Sequence, residues 1–251
     1  MNLPGWGIVP DQAFWVICAL FYLADNVRLL GGRELILAEG LGRRWLPVFP
    51  LYRYRIAGRA LSLLNLLLPM RGAVRMAWLT PEPFARPQLR RGARLLRLTC
   101  RRLLAFRILS SVLFVTFFVV GPAATHEAGL PGALVIVLPV HVAAVLLLIG
   151  LLIAARRTWR MSWSQLGSLV FECAVCPGFF VNICRKISLG FAHVPGDALA
   201  IALTIGGARA ASRVREHLPR ALDDLGENEE LQGEDAAAIA AYRRHLGDDD
   251  G

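Results

Sequence analysis

The stretch ILSSVLFVTFFVVGPAA (Ile108 to Ala124), THEAG (Thr125 to Gly129), LPGALVIVLPVHVAAVLLLIGLLIAA (Leu130 to Ala155) decides how this chain is read. It runs between Arg107 and Arg156 without a single Lys or Arg. Each apolar block has the length of a helix that crosses a ~30 Å hydrocarbon core, roughly 20 residues. The link between them is polar and turn-forming, and arginines crowd both outer ends. That is the pattern of a transmembrane hairpin whose tip faces away from the cytoplasm. It says where the protein sits, not what it does, and no motif identifies a reaction.

Working outward, charge divides the chain. From Ala24 to Arg107 there are 17 Arg against 4 acids; from Ala221 to the end there are 2 Arg against 10 acids. The net charge of +9 therefore describes a basic block and an acidic tail held apart by apolar segments. Positive-inside topology accounts for the arginines, so nucleic acid is not expected as a partner. Lys186 is the only lysine, and the wealth of Arg, Ala, Leu and Gly suits a compositionally biased bacterial genome. The five cysteines (Cys18, Cys100, Cys173, Cys176 and Cys184) lie on or beside apolar segments and do not form a secreted disulfide framework.

The organisation expected is a membrane α+β protein in six parts. Residues 1–26 form an N-terminal anchor helix around the apolar run Ala13 to Ala24, with Trp6, Trp15 and Tyr22 suited to interfaces. Its first basic residue, Arg28, follows the apolar run, so the anchor is uncleaved with its N-terminus outside. Residues 27–80 form a small cytoplasmic antiparallel β module. Gly31-Gly32 suits a primed hairpin turn. A second hairpin joins Leu51 to Ile56 with Ala60 to Leu66 through Gly58-Arg59, and Ala73 to Leu79 is a further strand. The alternation of Tyr52, Tyr54 and Ile56 with Arg53 and Arg55 is that of a half-wet strand. A helix over Ile56 to Leu68 competes with this reading. Pro47, Pro50 and Pro69 fit edges and turns better than helices.

Residues 81–107 form a basic juxtamembrane helix. Leu89, Ala93, Leu96, Cys100 and Leu103 make its apolar stripe, and Arg90, Arg91, Arg94, Arg97, Arg101 and Arg102 cover the remainder. Such a helix can lie against anionic headgroups of a lipid bilayer. The hairpin occupies 108–155. Residues 156–208 form broken apolar helices at or in the cytoplasmic face, starting at the capping box Ser162 to Gln165. Arg185-Lys186 argues against a translocated hairpin there, and Pro177 and Pro195 break the helices. Residues 209–251 form a soluble, helix-prone and acidic tail, mobile in part.

Few residues invite chemistry. On one continuous helix, Cys173, Cys176 and Cys184 would share a stripe able to hold a soft metal ion such as Cu(I) or Zn, or to cycle as thiols. Buried cysteines also serve as small packing residues, Pro177 threatens that helix, and a strong zinc pattern needs four ligands. No other cofactor is expected. His141 lies within an apolar helix two residues after Pro139. It is either an intramembrane polar site or a neutral imidazole donating to a nearby backbone carbonyl. Asp25, Arg28, Arg33, Glu34 and Glu39, where the anchor meets the β module, are either ordinary interfacial charges, the reading preferred, or an ion-pair cluster. The acids from Asp223 onward serve solvation, since carboxylates on a mobile tail lack the geometry of a Mg or Ca site.

The function expected is that of a multi-pass inner-membrane accessory or scaffold protein acting through a protein partner. A transporter or channel subunit is the first alternative, and a membrane thiol-redox or metal-handling protein the second.

Overall fold

A computed structural model describes residues 10–40, 44–228, 231, 233 and 235–247. Trp6, the acids Glu229, Glu230, Glu234 and Asp248 to Asp250, and the side chain of Tyr52 lie outside the described set. The fold is mixed helix and sheet, with two small antiparallel sheets. The chain divides into two compact units, one from residues 1–26, 66–70 and 104–186, the other from residues 27–65, 71–103 and 187–251.

The first unit is helical. It contains α1 (Pro10–Ala24), α3 (Leu104–Val115), a π-helical turn (Thr116–Val120), α4 (Gly121–Trp159), α5 (Trp163–Val175), α6 (Pro177–Val181) and the start of α7 (Ile183–Phe191); α2 (Arg86–Arg102) belongs to the second unit. The continuous helical segment Leu104–Trp159 is apolar and long enough to cross a membrane, and only 28% of its most apolar window is buried. It is not straight. Gly129 has φ 70° and ψ 172°, which no helix contains. Two ring contacts show what this does: Phe117 meets the His141 imidazole edge-on at 5.6 Å between centroids, and Trp15 meets Phe117 at 6.4 Å. On a straight helix Phe117 and His141 would be about 36 Å apart, so the chain folds back at Gly129 into an antiparallel pair of limbs. The reversal takes a single residue rather than the five-residue loop expected, because helix persists through Thr125 to Ala128.

Helix α1 packs along this pair. Trp15 Nε1 donates to Thr125 Oγ1 at 2.8 Å, and its indole lies so close over Gly121 that a Cβ there would meet it at 2.3 Å. Asp11 lies beside Gly129, so the start of α1 and the tip of the hairpin share one end of the unit. The capping box at Ser162 forms as expected, Gln165 N–H donating to Ser162 Oγ at 3.1 Å. Helix α5 then stops at Val175 because Pro177 cannot continue it, and α6 packs back against α1, α3 and α5.

The second unit holds both sheets. Strands β1 (Val27–Leu30), β4 (Leu51–Ile56) and β5 (Arg59–Leu63) form one in the order β1-β5-β4, and β2 (Glu34–Glu39), β3 (Trp45–Val48) and β6 (Ala73–Ala77) form the other in the order β3-β2-β6. Leu30 of β1 and Leu64, just past β5, meet Ile36 of β2 and Ala73 of β6 in a common core, with Leu189 against it. In the central strand β2, Leu35, Ile36 and Leu37 are all fully buried. Both faces are therefore covered, one by that core and the other on the side where α8 (Ala198–Ile205) packs. Helices α2 (Arg86–Arg102), α9 (Ala208–Glu227) and α10 (Asp235–Leu246) complete the unit.

Four details depart from the sequence reading. Gly31-Gly32 is not a primed hairpin turn: β1 pairs with β5 and β2 with β3 and β6. Neither glycine has positive φ; Glu34 N–H donates to Gly31 O at 3.0 Å, and Gly31 N–H donates to the Glu34 carboxylate at 2.8 Å. The primed turn falls instead at Ala57-Gly58, with φ 50° and 74°, closing the β4–β5 hairpin where Ile56 pairs with Arg59. Strand β3 was not anticipated; it carries Pro47 on an edge, where no second neighbour asks for its missing N–H. Finally, the acidic tail contains α10, which is docked, with Tyr242 fully buried and Asp235 2% exposed.

Candidate functional site

Charge in the helical unit gathers at the end of α1 remote from the tip. The Lys186 ammonium donates to Asp25 Oδ1 and Glu172 Oε2, both at 2.9 Å, and lies 4.8 Å from the centre of the Phe179 ring. Beside it Arg185, 3% exposed, donates to Asn26 Oδ1 and, at 2.7 Å, to the Leu68 carbonyl. Asn26 and Asn182 both donate to the Tyr22 carbonyl, the Tyr22 hydroxyl donates to the Leu66 carbonyl, and Cys184 N–H donates to Ser110 Oγ. Three chain segments that end in polar backbone are thus knitted together by side chains whose apolar stems remain buried. Asp25 and Asp11 are separated by about 21 Å of helical rise, so Lys186 sits at the opposite end of the unit from Gly129. A cation held between two carboxylates is a latch rather than a nucleophile, since its lone pair is bound up as ammonium.

Charges of the candidate group around Asp25 take partners from elsewhere in the chain. Asp25 pairs with Lys186, Arg33 with Asp235 at 3.0 Å, Glu34 with Arg75, and Glu39 with Arg71 at 3.5 Å. These four find partners outside the group.

His141 has a specific task. Its Nε2 lies 3.1 Å from the Ala174 carbonyl, and its ring sits edge-on between Phe117 and Phe180. Ala174 is in the last turn of α5, where carbonyls have lost their intrahelical donors, and Pro177 brings no N–H to replace one. The imidazole supplies a donor at a chain reversal surrounded by apolar side chains, where an unmet carbonyl is costly. The acceptor is on another helix, not the carbonyl that Pro139 frees on its own.

The cysteines do not share a stripe. Cys173 ends up buried in α5 and Cys176 half-buried at the break, with backbone φ −127° and ψ 102°. Cys184 is buried with its thiol on the Met70 carbonyl at 3.3 Å. Cys18 of α1 lies against the α5–α6 break, its carbonyl 2.4 Å from where a Cβ on Gly178 would stand. Among the described residues no three His, Cys, Asp or Glu side chains come together as a metal-holding group.

In the second unit, Arg90, Arg91, Arg94, Arg97, Arg101 and Arg102 are all exposed on α2. Of the expected apolar stripe Leu96 and Leu103 are fully buried and Leu89, Ala93 and Cys100 half-buried, and Gly92 and Thr99 are buried beside them. A Cβ at Gly92 would meet Ile201 Cδ1 at 2.4 Å, so α8 has taken the apolar side of α2.

A polar node unforeseen in the sequence also lies here. Asp197 caps α8 through Ala200 N–H at 3.0 Å and accepts at Oδ2 from Thr80 N–H, the Thr80 hydroxyl and the Tyr242 hydroxyl (2.6 Å). The Tyr242 oxygen in turn accepts from Leu79 N–H at 3.0 Å. Burial drives the Asp197 carboxyl above its ordinary pKa against the pull of those donors. Burial, together with the Asp197 charge, raises the Tyr242 phenol. The node ties the end of β6 to α8 and α10 and is structural.

Comparison with known proteins finds no match: no family, no curated protein and no solved structure is significantly similar to this chain.

Proposed function

We propose that this is a multi-pass inner-membrane accessory protein, anchored by its helical unit and acting through a protein partner held by the second unit. The observation that carries the reading is the distribution of exposed apolar side chains. Val16, Leu20, Ile108, Val112, Val135 and Leu146 are each between 39% and 74% exposed on three helical segments of one unit. Water would leave such a belt uncovered, whereas lipid covers it. Arg107, Arg156, Arg157 and Arg160 stand at the ends of the limbs remote from Gly129, the side the positive-inside rule assigns to the cytoplasm. The first limb from Arg107 to Ala128 rises about 32 Å, close to the ~30 Å hydrocarbon core.

In this reading α1 and the two limbs cross the bilayer with Gly129 outside. The α5–α6 turn enters from the cytoplasmic side and returns, leaving Lys186 inside. Partner binding is supported by the sheet β1-β5-β4. Leu51 and Leu63, on the face of β4 and β5 opposite buried Ala60, Ser62 and Leu64, are 48% and 44% exposed, with exposed Arg59 on the same face. The partner that fits is a protein with an apolar contact ringed by carboxylates. Site-specific photocrosslinking from Leu63 in intact membranes tests this. One acidic partner, crosslinked by the wild type and lost in a Leu51→Asp/Leu63→Asp variant that still inserts, is the expected result. Unchanged crosslinking in that variant would remove the surface from consideration.

A transporter or channel subunit is the second reading, favoured by one observation: helix α5 breaks at Cys176-Pro177 beside His141, and broken helices line many transport pathways. Substrate-independent growth and flux in a His141→Leu strain would count against it.

A further inference from the structure

We propose that the arginine row of α2 is a docking surface for the phosphate-bearing headgroups of anionic lipids, engaged electrostatically and without insertion. The proposal rests on the membrane reading above and specifies which surface touches the bilayer and how. Arg90, Arg94, Arg97 and Arg101 follow the spacing i, i+4, i+7, i+11, so they form one stripe about 16 Å long. Arg91 and Arg102 widen it. The helix RPQLRRGARLLRLTCRR contains no acid at all, and among the described residues none of these six arginines has a carboxylate within ion-pair distance.

Like charges three and four residues apart oppose helix formation. A row of them on a regular helix is favoured when anions neutralise it from outside. Lipid is the fitting source because α2 runs through Leu103 directly into α3, whose apolar exposed face begins at Leu104 and Ile108.

The mode of contact follows from the other side of the helix. An interfacial amphipathic helix buries its apolar face in the acyl boundary. Here that face is already spent on α8: Leu96 is fully buried, and Gly92 allows Ile201 and the Pro195 carbonyl to approach too closely for any side chain. Guanidinium groups are left to meet the phosphates, with bidentate geometry available to each. Binding of this kind is screened by salt, as insertion is not.

The full chain in maltoside micelles, doped with phosphatidylglycerol or phosphatidylcholine, provides the test, with retained lipid counted by native mass spectrometry. The expected result is a preference for phosphatidylglycerol of at least about tenfold. It should vanish in R90Q/R94Q/R97Q/R101Q and in about 1 M salt, where the screening length is near 3 Å. The variant should unfold at or slightly above the wild-type thermal midpoint in phosphatidylcholine micelles, because all four side chains are exposed and their mutual repulsion is removed. Equal retention of the two lipids, or a preference surviving the substitutions or the salt, overturns the proposal. So does displacement of phosphatidylglycerol by inorganic phosphate or by a duplex oligonucleotide at equal phosphate concentration, which would assign the row to a free anion or to nucleic acid. A chain that stays monomeric without detergent would instead refute the membrane reading, an outcome separable from the lipid preference.

Discussion

The two units of this chain solve burial in opposite senses. In the helical unit apolar side chains such as Leu20, Ile108 and Leu146 face outward, while Asp25, Arg185 and Lys186 turn inward at one end and are paired. In the second unit Leu35, Ile36, Leu37 and Trp78 are fully buried and arginines cover the surface. On the membrane reading proposed above, one sequence follows two solvents. Lipid would offer the polar groups of the first unit no partner from outside, and His141 at the Ala174 carbonyl is an internal one. In the second, polar groups such as Asp197 are buried only where they join elements.

The comparison is most easily broken at Arg185. In Arg185→Leu, Asn26 Oδ1 and the Leu68 carbonyl lose a buried charged donor. Each buried acceptor left unmet costs ~1–3 kcal/mol. Unfolding of the detergent-solubilised chain, followed by near-UV circular dichroism, should show that loss in the helical unit. A change below about 1 kcal/mol would mean the network is wet.

Two hydrogen-bond deletions compare the units directly. His141→Leu leaves the Ala174 carbonyl unmet among apolar neighbours; Tyr242→Phe leaves Leu79 N–H unmet and takes one donor from Asp197. Each should cost ~1–3 kcal/mol. Hydrogen exchange should localise the first effect to α5 and α6 and the second to β6 and α8. If both spread over the whole chain, the two units are not separate in stability.

The first unit was legible in outline. A long run without cations and its flanking arginines are local signals, and the hairpin turns within the expected tip. The network at Lys186 was not legible, because Asp25 and Lys186 are brought together only by the return of α6 along α1. Strands β4, β5 and β6 could be read from alternation, and so could the β4–β5 hairpin, but not the pairing of β5 with β1 or of β6 with β2. The pair Gly31-Gly32 has the composition of a hairpin turn, yet the strands on either side take other partners. At the real hairpin the turn is offset by one residue, Ala57-Gly58 rather than Gly58-Arg59, which moves each cross-strand partner by two residues and keeps the faces. All six candidate arginines are exposed, whereas Asp197 reads in sequence only as part of a Pro-Gly-Asp breaker.

Smaller effects sharpen the picture of the second unit. Ala57 holds φ 50° in the primed turn, a conformation Asn tolerates better. Ala57→Asn should therefore stabilise the unit by ~0.5–1 kcal/mol, measured as a rise in its thermal midpoint. Destabilisation would show that the turn is not primed in solution. Glu34 tests electrostatics at the surface. Burial raises its pKa, but hydrogen bonds from Arg75 and Gly31 N–H and the charges of Arg75 and Arg59 outweigh it and hold the carboxyl below its usual range. A folded pKa below the unfolded one gives a contribution present above pH ~4.3. It is lost as pH falls through the folded value. Glu34→Gln should remove less than about 1 kcal/mol, because the pair is partly solvated. The difference from wild type should be present at neutral pH and shrink on acidification; a difference that grows in acid would contradict the assignment.

The most direct test of the two-solvent account is membrane topology by cysteine accessibility in intact cells. In a background with the native cysteines replaced by Ser or Ala, single reporters stand at Glu127, beside the hairpin tip, and at Arg59, in the β4–β5 hairpin. The account predicts that a membrane-impermeant maleimide labels the Glu127 reporter at once and the Arg59 reporter only after the membrane is permeabilised. Labelling at Arg59 with protection at Glu127 would invert the topology. Equal labelling of both in the soluble fraction would mean that the apolar belt is not covered by lipid.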